Sequence, residues 1–315
     1  MEILIPILLL LLGLVLIIKG GDVFVDAASW MAEVSGVPRL IVGATVVSIA
    51  TTLPELLVSS FASAEGKVDM AIGNAVGSVT ANVGLIMAIA LIFMPMAIRR
   101  QDYMLKSLLM IGASLFIVVF GFGGSMGLLP SLALLLLFIA AEIDNIRAAR
   151  NAIAEGVKEE RPAVNAKIIT VNIVKFVLGA AAMAGGARLL VDNGSALATL
   201  CGVPERIISV TLIAIGTSLP ELVTTVTAIV KKQATLSIGN IIGANIIDLT
   251  LILPLCAAIS GGALPVTRQV ATADLPFCLI VCCIAVIPTL ISGKFRKNTI
   301  DRKNELFKEA ARAAG

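Results

Sequence analysis

Nine long apolar stretches most constrain what this chain can fold into. They cover residues 3–25, 38–62, 70–97, 104–122, 127–147, 168–191, 204–230, 235–260 and 271–292. About 20 apolar residues in a helix span the hydrocarbon core of a bilayer. Of the 315 residues, 58% are hydrophobic and 14% are charged, whereas soluble domains carry about 25% charged residues. We therefore predict an all-α polytopic membrane protein in contact with the lipid bilayer, and exclude a soluble globule or a disordered chain.

The distribution of basic residues predicts the orientation of these helices. With the N-terminus outside, 19 of the 24 lysines and arginines fall on cytoplasmic stretches and Lys175 lies within a helix. The outer side then holds only Lys67, Arg188, Arg206 and Arg268. Basic residues concentrate on cytoplasmic loops of membrane proteins. This pattern predicts an N-out, C-in topology, and the net charge of +3 is too small to indicate nucleic-acid binding.

The chain contains an internal repeat with an offset of 166 residues. Residues 36–60 and 202–226 share 11 identities in 25 aligned positions without a gap. The first copy contains five apolar segments, an odd number, so the second copy must enter the membrane from the opposite side. Inverted repeats of this kind are typical of secondary transporters. The predicted units are a first repeat (1–147), a cytoplasmic linker (148–166), a second repeat (167–293) with four clear helices, and a basic cytoplasmic tail (294–315).

Three carboxylates lie in the middle of apolar segments, namely Glu55, Glu221 and Asp248. A charge at the bilayer centre costs about 2.5–3.5 kcal/mol on insertion scales, so intramembrane charges usually mark functional sites. Lys175 is the only basic residue within a segment that is placed to neutralise them. One cation does not balance three carboxylates, so we interpret them as ligands of a transported cation.

Other oxygen donors accompany these carboxylates in both repeats. Thr51 and Glu55 are four residues apart, as are Thr217 and Glu221, and this spacing places each pair on one helix face. Thr52 and Ser218 follow the threonines directly. In the next helix, Ser78 and Asn82 have the same spacing, matched in the second repeat by Ala244 and Asp248.

Proline and asparagine support this oxygen-rich arrangement. Pro54 and Pro220 lack an N–H, so each frees a backbone carbonyl and bends its helix. Asn74 and Asn240 each follow a glycine in an apolar helix, and we expect their amides to bridge the site or cap broken helices. Carbonyls, hydroxyls and carboxylates are ligands for hard cations such as Ca²⁺.

The composition argues against an enzyme. The chain has no histidine, and its five cysteines form no CxxC motif. Hydrolysis at membrane depth would need an activated nucleophile or a catalytic metal. The sequence has no Ser/Lys or Cys/His pair at membrane depth to supply the nucleophile and no histidine to hold a metal. We therefore predict no enzymatic activity, no catalytic residues and no cofactor beyond the transported ions.

The paired motifs ATTLPE and GTSLPE, with GNAVGSVTAN and GNIIGANIID, resemble the two alpha-repeats of the sodium/calcium exchangers, in their prokaryotic form. The resemblance covers residues 5 to about 292 and implies one calcium site and several sodium sites at the membrane midplane. The implied ligands are Thr51, Thr52, Glu55, Ser78, Asn82, Thr217, Ser218, Glu221 and Asp248, with the backbone carbonyls of Ser48 and Ala214. Glu55, Glu221, Thr51 and Thr217 would hold the calcium ion.

The sequence departs from this family pattern at several points. Ala244 stands where the second repeat usually has serine, which removes one oxygen from the site, and Ala50 replaces a glycine. A tenth helix usually closes the fold, but the chain after Gly293 is a basic amphipathic segment. We expect that segment to be a solvated cytoplasmic helix.

The preferred hypothesis is an antiporter that exchanges Ca²⁺ for Na⁺ across the cytoplasmic (inner) membrane by alternating access. Proton/calcium exchange is the alternative, favoured by the missing hydroxyl at Ala244 and by a route for protons through Asp248. A cation channel is a more distant alternative, because channels usually assemble around a symmetry axis whereas this repeat closes on itself. For the same reason we expect a monomer.

Overall fold

A computed structural model describes residues 3–93, 100–154, 165–202 and 214–291, nearly all of them helical. The elements in chain order are α1 (Leu4–Ser35), α2 (Arg39–Thr51), α3 (Leu53–Ala64), α4 (Val68–Phe93), α5 (Arg100–Gly121), β1 (Ser125–Met126), α6 (Leu128–Ala154), α7 (Ala166–Leu200), α8 (Ala214–Thr217), α9 (Leu219–Val230), α10 (234–259), β2 (Leu264–Pro265) and α11 (270–291). Strands β1 and β2 pair antiparallel over two residues each, a small departure from the all-α expectation.

The helices confirm a polytopic α-helical membrane protein. Seven described helices are long and apolar enough to cross a membrane, and α2 with α3 forms an eighth, bent span. These eight match eight of the nine predicted segments. Of the ninth, 204–230, the structure describes residues 214–230, and the remainder lies outside the described residues, as do the centre of the linker and the basic tail.

The two repeats have the same helix boundaries at an offset of 166 residues. Helix α3 (53–64) corresponds to α9 (219–230), with both ends in register. Helices α4 and α10 each contain a π-helical turn at equivalent positions, Asn82–Ile86 and Asp248–Ile252. The sequence repeat is therefore also a repeat of local backbone structure.

The equivalent helices α1 and α7 pack against each other in antiparallel orientation. A Cβ atom on Gly13 would lie 2.8 Å from the carbonyl oxygen of Gly186, and one on Gly20 would lie 3.0 Å from that of Gly179. Gly13 corresponds to Gly179 in the repeat, and Gly20 to Gly186. The contacts are thus reciprocal, as an inverted repeat with a pseudo-two-fold axis between α1 and α7 requires.

Several boundaries differ from the sequence-based expectation. Helices α1 and α7 have 32 and 35 residues and extend past their apolar runs. Lys19, counted among the 19 cytoplasmic basic residues, lies inside α1. Lys106, expected in a cytoplasmic loop, lies in α5 and is 2% exposed. Helix α6 continues to Ala154 and α7 begins at Ala166, so helix extends into both ends of the linker expected at 148–166.

Candidate cation site

The helix that carries each predicted glutamate is interrupted just before the proline. Helices α2 and α3 meet at 44°, and Thr52 between them has φ −84° and ψ 1°. Ser218, at the equivalent break between α8 and α9, has φ −84° and ψ 4°. Thr51 and Glu55 therefore belong to different helices, and the expectation that one continuous helix face carries both is wrong. The residues at the two breaks, Thr52 and Ser218, are buried, with hydroxyls that lie near the carboxylates.

Each glutamate accepts a hydrogen bond from the opposite repeat. The hydroxyl of Thr52 donates to Glu221 Oε1 at 3.3 Å, and that of Ser218 donates to Glu55 Oε1 at 3.4 Å. Thr52 is equivalent to Ser218, and Glu55 to Glu221. Glu55 is 1% exposed and Glu221 is fully buried. The two repeats therefore meet at the glutamates, through a pair of reciprocal contacts across the pseudo-two-fold axis.

The threonines and asparagines form a second reciprocal pair of contacts. Thr51 Oγ1 donates to Asn240 Oδ1 at 3.0 Å, and Thr217 Oγ1 donates to Asn74 Oδ1 at 3.2 Å. Asn74 also donates to the backbone carbonyl of Glu55 at 3.3 Å. Each threonine hydroxyl thus donates to an amide oxygen of the opposite repeat, and the Thr51 hydroxyl also lies 3.4 Å from the carbonyl oxygen of Ser48. Asn74 and Asn240 therefore each accept a hydrogen bond from the opposite repeat.

Six buried oxygen atoms around this site have no hydrogen-bond partner within the described part of the chain. They are Glu55 Oε2, Glu221 Oε2, both carboxylate oxygens of Asp248, Ser78 Oγ and Asn82 Oδ1. A buried carboxylate without a partner is strongly unfavourable unless a cation compensates it. Glu55, Glu221 and Asp248 also lie close enough to repel one another electrostatically. The arrangement is therefore suited to binding a cation.

No basic side chain neutralises these carboxylates among the ion pairs of the described residues. Lys175, the one candidate from sequence, is exposed on α7. The described residues contain no group of three or more His, Cys, Asp or Glu side chains arranged to hold a metal. Hydroxyl, amide and backbone oxygens must therefore complete the shell of any cation that Glu55 and Glu221 bind.

The π-helical turns place the ligand candidates of α4 and α10. Asn82 and Asp248 are the first residues of these turns, and π-bulges occur frequently at functional sites. Asn82 Nδ2 donates to Asn245 Oδ1 at 3.1 Å. Asn245, fully buried, was missed from the sequence because its equivalent in the first repeat is Val79, and the search used matched pairs. An amide three residues before Asp248 in an apolar helix was the available signal.

The predicted set also includes two backbone carbonyls, those of Ser48 and Ala214. Ser48 O accepts from the backbone N–H of Thr52 at 2.9 Å and from the hydroxyl of Thr51 at 3.4 Å, so an ion at this carbonyl would compete with the hydroxyl. Ala214 begins α8, directly after residues that the structure does not describe. Ala244 is fully buried in α10, at the position equivalent to Ser78.

The fold and the candidate site define a class of protein: a polytopic α-helical membrane protein with two structural repeats that meet at a buried cluster of oxygen atoms. A family model described as "Sodium/calcium exchanger protein" matches residues 5–141 and 171–304. The chain belongs to the sodium/calcium exchanger family, whose members are transporters that exchange Ca²⁺ for other cations, and not enzymes.

Individual relatives agree with this assignment. Sodium/calcium exchanger MaX1 of Methanosarcina acetivorans is 32% identical over 79% of this chain and 81% of its own. Inner membrane protein YrbG of Escherichia coli is 34% identical over 81% of this chain and 80% of its own. A solved structure of the sodium–calcium exchanger NCX_Mj, soaked with 10 mM Na⁺ and zero Ca²⁺, matches with a TM-score of 0.76 and 30% identity. That match covers 91% of this chain and 92% of NCX_Mj.

Proposed function

We propose that this protein exchanges Ca²⁺ for Na⁺ across the cytoplasmic membrane, with Glu55 and Glu221 as the shared ligands of both ions. The observation that carries the proposal is the reciprocal pair of buried glutamates. Each has one oxygen that accepts a hydrogen bond from the opposite repeat and one with no partner in the part of the chain that the structure describes. The similarity to Sodium/calcium exchanger MaX1 and to the NCX_Mj structure supports Ca²⁺ and Na⁺ as the exchanged ions.

The hydroxyl and amide groups complete the proposed ligand shell. Calcium takes six to eight oxygen ligands. Besides the two glutamates, the proposed ligands are Thr51, Thr52, Ser78, Asn82, Thr217, Ser218, Asp248 and the carbonyls of Ser48 and Ala214. Asn74, Asn240, Pro54 and Pro220 hold these ligands in place through the contacts and helix breaks described above.

Charge balance gives the exchange its coupling. The three carboxylates bring up to three negative charges into a low-dielectric region, where like charges cannot all stay ionised without cations. One Ca²⁺, or two or three Na⁺, neutralises most of this charge. The two kinds of ion cannot bind together without excess positive charge, so they compete, and competition for one site is what obligatory exchange requires.

Access to the site alternates by movement of α1 and α7 past the remaining helices. These helices precede the ligand helices in each repeat and contribute no residue to the proposed ligand set. Cysteine labelling along both helices should differ between sodium-loaded and calcium-loaded protein. Gly20 and Gly186 make close contacts between these two unbroken helices, so they are packing residues and not hinges.

Calcium flux in proteoliposomes, with sodium and pH gradients imposed separately, tests the proposal. An outward sodium gradient at constant pH should drive calcium uptake, and a pH gradient without sodium should not. Uptake driven only by the pH gradient would show that H⁺, and not Na⁺, is the counter-ion. The Asp248 carboxylate, which has no hydrogen-bond partner among the described residues, and the missing hydroxyl at Ala244 would then explain this result. Calcium flux that needs no counter-ion would indicate a channel.

A further inference from the structure

A hydrogen-bond chain behind Asn82 runs out of the cation site to α5. Asn82 Nδ2 donates to Asn245 Oδ1 at 3.1 Å, and Asn245 Nδ2 donates to the Met110 sulfur at 3.5 Å. All three side chains are at most 1% exposed. A thioether sulfur only accepts hydrogen bonds. Met110 therefore fixes the amide of Asn245 with its nitrogen toward α5, and its oxygen then faces Asn82.

The same logic sets the orientation of Asn82. Its nitrogen must face the oxygen of Asn245, so its Oδ1 points away from that pair, and this buried oxygen has no other partner in the described part of the chain. An amide offers a cation one useful end only, because its NH₂ group repels positive charge. We propose that Asn245, anchored by Met110, is a positioning residue that keeps the Asn82 oxygen directed at the transported cation.

This inference rests on the proposed function and adds a residue from outside the ligand set. The repeat offset relates Asn245 to Val79 and Asn82 to Asp248. The symmetric counterpart of the Asn245–Asn82 pair is therefore Val79 with Asp248, whose carboxylate has two equivalent oxygens. A carboxylate needs no orientation of this kind, whereas an amide does. The chain thus has an orienting residue only where the ligand is an amide.

Met110→Leu is the variant that tests the relay, since it conserves volume and removes only the acceptor. It should raise the half-saturating concentration of Na⁺ or Ca²⁺ by about three-fold. Without the Met110 acceptor, the amides of Asn245 and Asn82 can rotate, and the Asn82 oxygen then faces the cation in only a fraction of the molecules. In an Asn82→Asp background the same Met110→Leu change should have no further effect, since both carboxylate oxygens serve equally. Met183→Leu is the matched control: Met183 is also buried and accepts a hydrogen bond from the hydroxyl of Thr224 at 3.7 Å.

Binding of both ions should be measured directly by calorimetry and in flux assays. A Met110→Leu protein with parental affinities for both ions overturns the relay. So does an equal loss of affinity in the Asn82→Asp background, which would show a general packing defect. Failure of the proposed function is visible separately, because the parent protein would then show no competition between Na⁺ and Ca²⁺.

A second, independent observation concerns charges at the ends of the helices. Lys231, directly after α9, contacts α1: its Nζ lies 2.8 Å from Asp26 Oδ1, 3.6 Å from Asp22 Oδ1 and 2.7 Å from the carbonyl oxygen of Asp22. The residue equivalent to Lys231 in the first repeat is Glu65, and the residue equivalent to Asp22 is Arg188 in α7. The signs are reversed at these two positions, so Glu65 and Arg188 would also attract, whereas Asp26 corresponds to Asp192, which keeps its sign.

Within the described part of the chain, the ion pairs of Glu65 and Arg188 are local ones. Glu65 pairs with Lys67 at 2.7 Å, and Arg188 pairs with Asp192 on its own helix at 3.5 Å. Helix α1 is packed tightly on α9, where a Cβ on Gly21 would lie 2.6 Å from Val223 Cγ1. Inverted repeats exchange conformations when access alternates. We infer that Glu65 and Arg188 pair in the opposite conformation, while the contacts of Lys231 with α1 open.

A charge-swap experiment tests this pair of alternating ion contacts. Glu65→Arg and Arg188→Glu should each lower the exchange rate about two- to five-fold, in the range that single ion pairs support. The double variant Glu65→Arg with Arg188→Glu should recover most of the rate. The matched control combines Glu65→Arg with Lys67→Glu, which swaps the local pair and should recover nothing.

Two results would overturn the alternating pair. One is single variants that exchange at the parental rate. The other is a double variant no faster than the slower single variant, or no faster than the Lys67 control. The test does not depend on whether Na⁺ or H⁺ is the counter-ion, because it compares rates of whichever exchange the parent performs.

Discussion

At the residue scale, the central claim is that Glu55 and Glu221 are the shared ligands of Ca²⁺ and Na⁺. Each is buried, each has one oxygen hydrogen-bonded by the opposite repeat, and each has a second oxygen with no hydrogen-bond partner among the described residues. A neutral side chain of the same size would keep the packing and lose the charge. A glutamine substitution at either position therefore tests whether the site needs the negative charge or only the shape of the side chain.

Glu55→Gln and Glu221→Gln are each expected to abolish calcium-driven exchange. Removing one charge from a buried, compensated set costs about 3–5 kcal/mol, which corresponds to more than about a hundred-fold in calcium affinity. The measurement is calcium uptake by purified variants in proteoliposomes. Glu142→Gln is the matched control, because Glu142 is a half-buried carboxylate in α6 that lies outside the site and accepts a hydrogen bond from Asn145. Substantial exchange by either site variant would reject that glutamate as an essential ligand.

Ala244→Ser is expected to steepen the sodium dependence of calcium flux and to leave its calcium dependence nearly unchanged. Ala244 is equivalent to Ser78, whose hydroxyl is buried without a partner, so the site lacks one oxygen on the side of the second repeat. Calcium compensates with a bidentate carboxylate or a water, whereas a monovalent ion gains less from each remaining oxygen. The sodium titration of flux in the variant and the parent measures the effect. Identical sodium dependence would show that position 244 does not face the ions.

Much of the candidate site could be predicted from the sequence because the repeat doubles each signal. Thr51 with Thr217 and Glu55 with Glu221 stand out as matched pairs of polar residues in apolar helices. Asn245 could not be found this way, since its equivalent is Val79. The hydrogen-bond partners also could not be found, because the contacts of Thr52 and Ser218 cross between repeats and depend on how the two halves pack.

At the scale of elements, the contact between α1 and α7 depends on glycine. Gly13, Gly20, Gly179 and Gly186 allow the two backbones to approach until a Cβ atom would touch a carbonyl oxygen at 2.7–3.0 Å. Small residues at such contacts are typical of helix pairs in membranes. The pair is thus held together by close packing over its length, and we expect it to move as one body.

Gly186→Ala should slow exchange and lower thermal stability, while Gly185→Ala should do neither. A Cβ on Gly186 would lie 2.7 Å from the carbonyl oxygen of Gly13, whereas one on Gly185 would meet nothing within 4 Å. Overpacking of this kind costs about 1–3 kcal/mol. Melting temperature in detergent and flux in proteoliposomes provide the two measurements. Equal behaviour of the two variants would show that the glycine contact is unimportant to the pair.

At the scale of the whole molecule, the two repeats of this sodium/calcium exchanger family member meet at the candidate cation site. Apolar length and repeat spacing were enough to predict the polytopic helical class and the boundaries of most spans to within a few residues. They underestimated α1 and α7, because those helices continue into polar sequence beyond the apolar run, where hydropathy no longer reports helix. The bend at Thr52 was indicated by Pro54, but its geometry depends on packing between repeats.

Competition between the two ions tests the central claim most directly. Calcium binding to the purified protein should be measured by calorimetry at a series of sodium concentrations, at constant ionic strength maintained with choline chloride. If Glu55 and Glu221 bind both ions, the apparent calcium dissociation constant should rise with sodium more steeply than in direct proportion, because more than one Na⁺ must leave. A calcium dissociation constant that does not change with sodium would contradict the account.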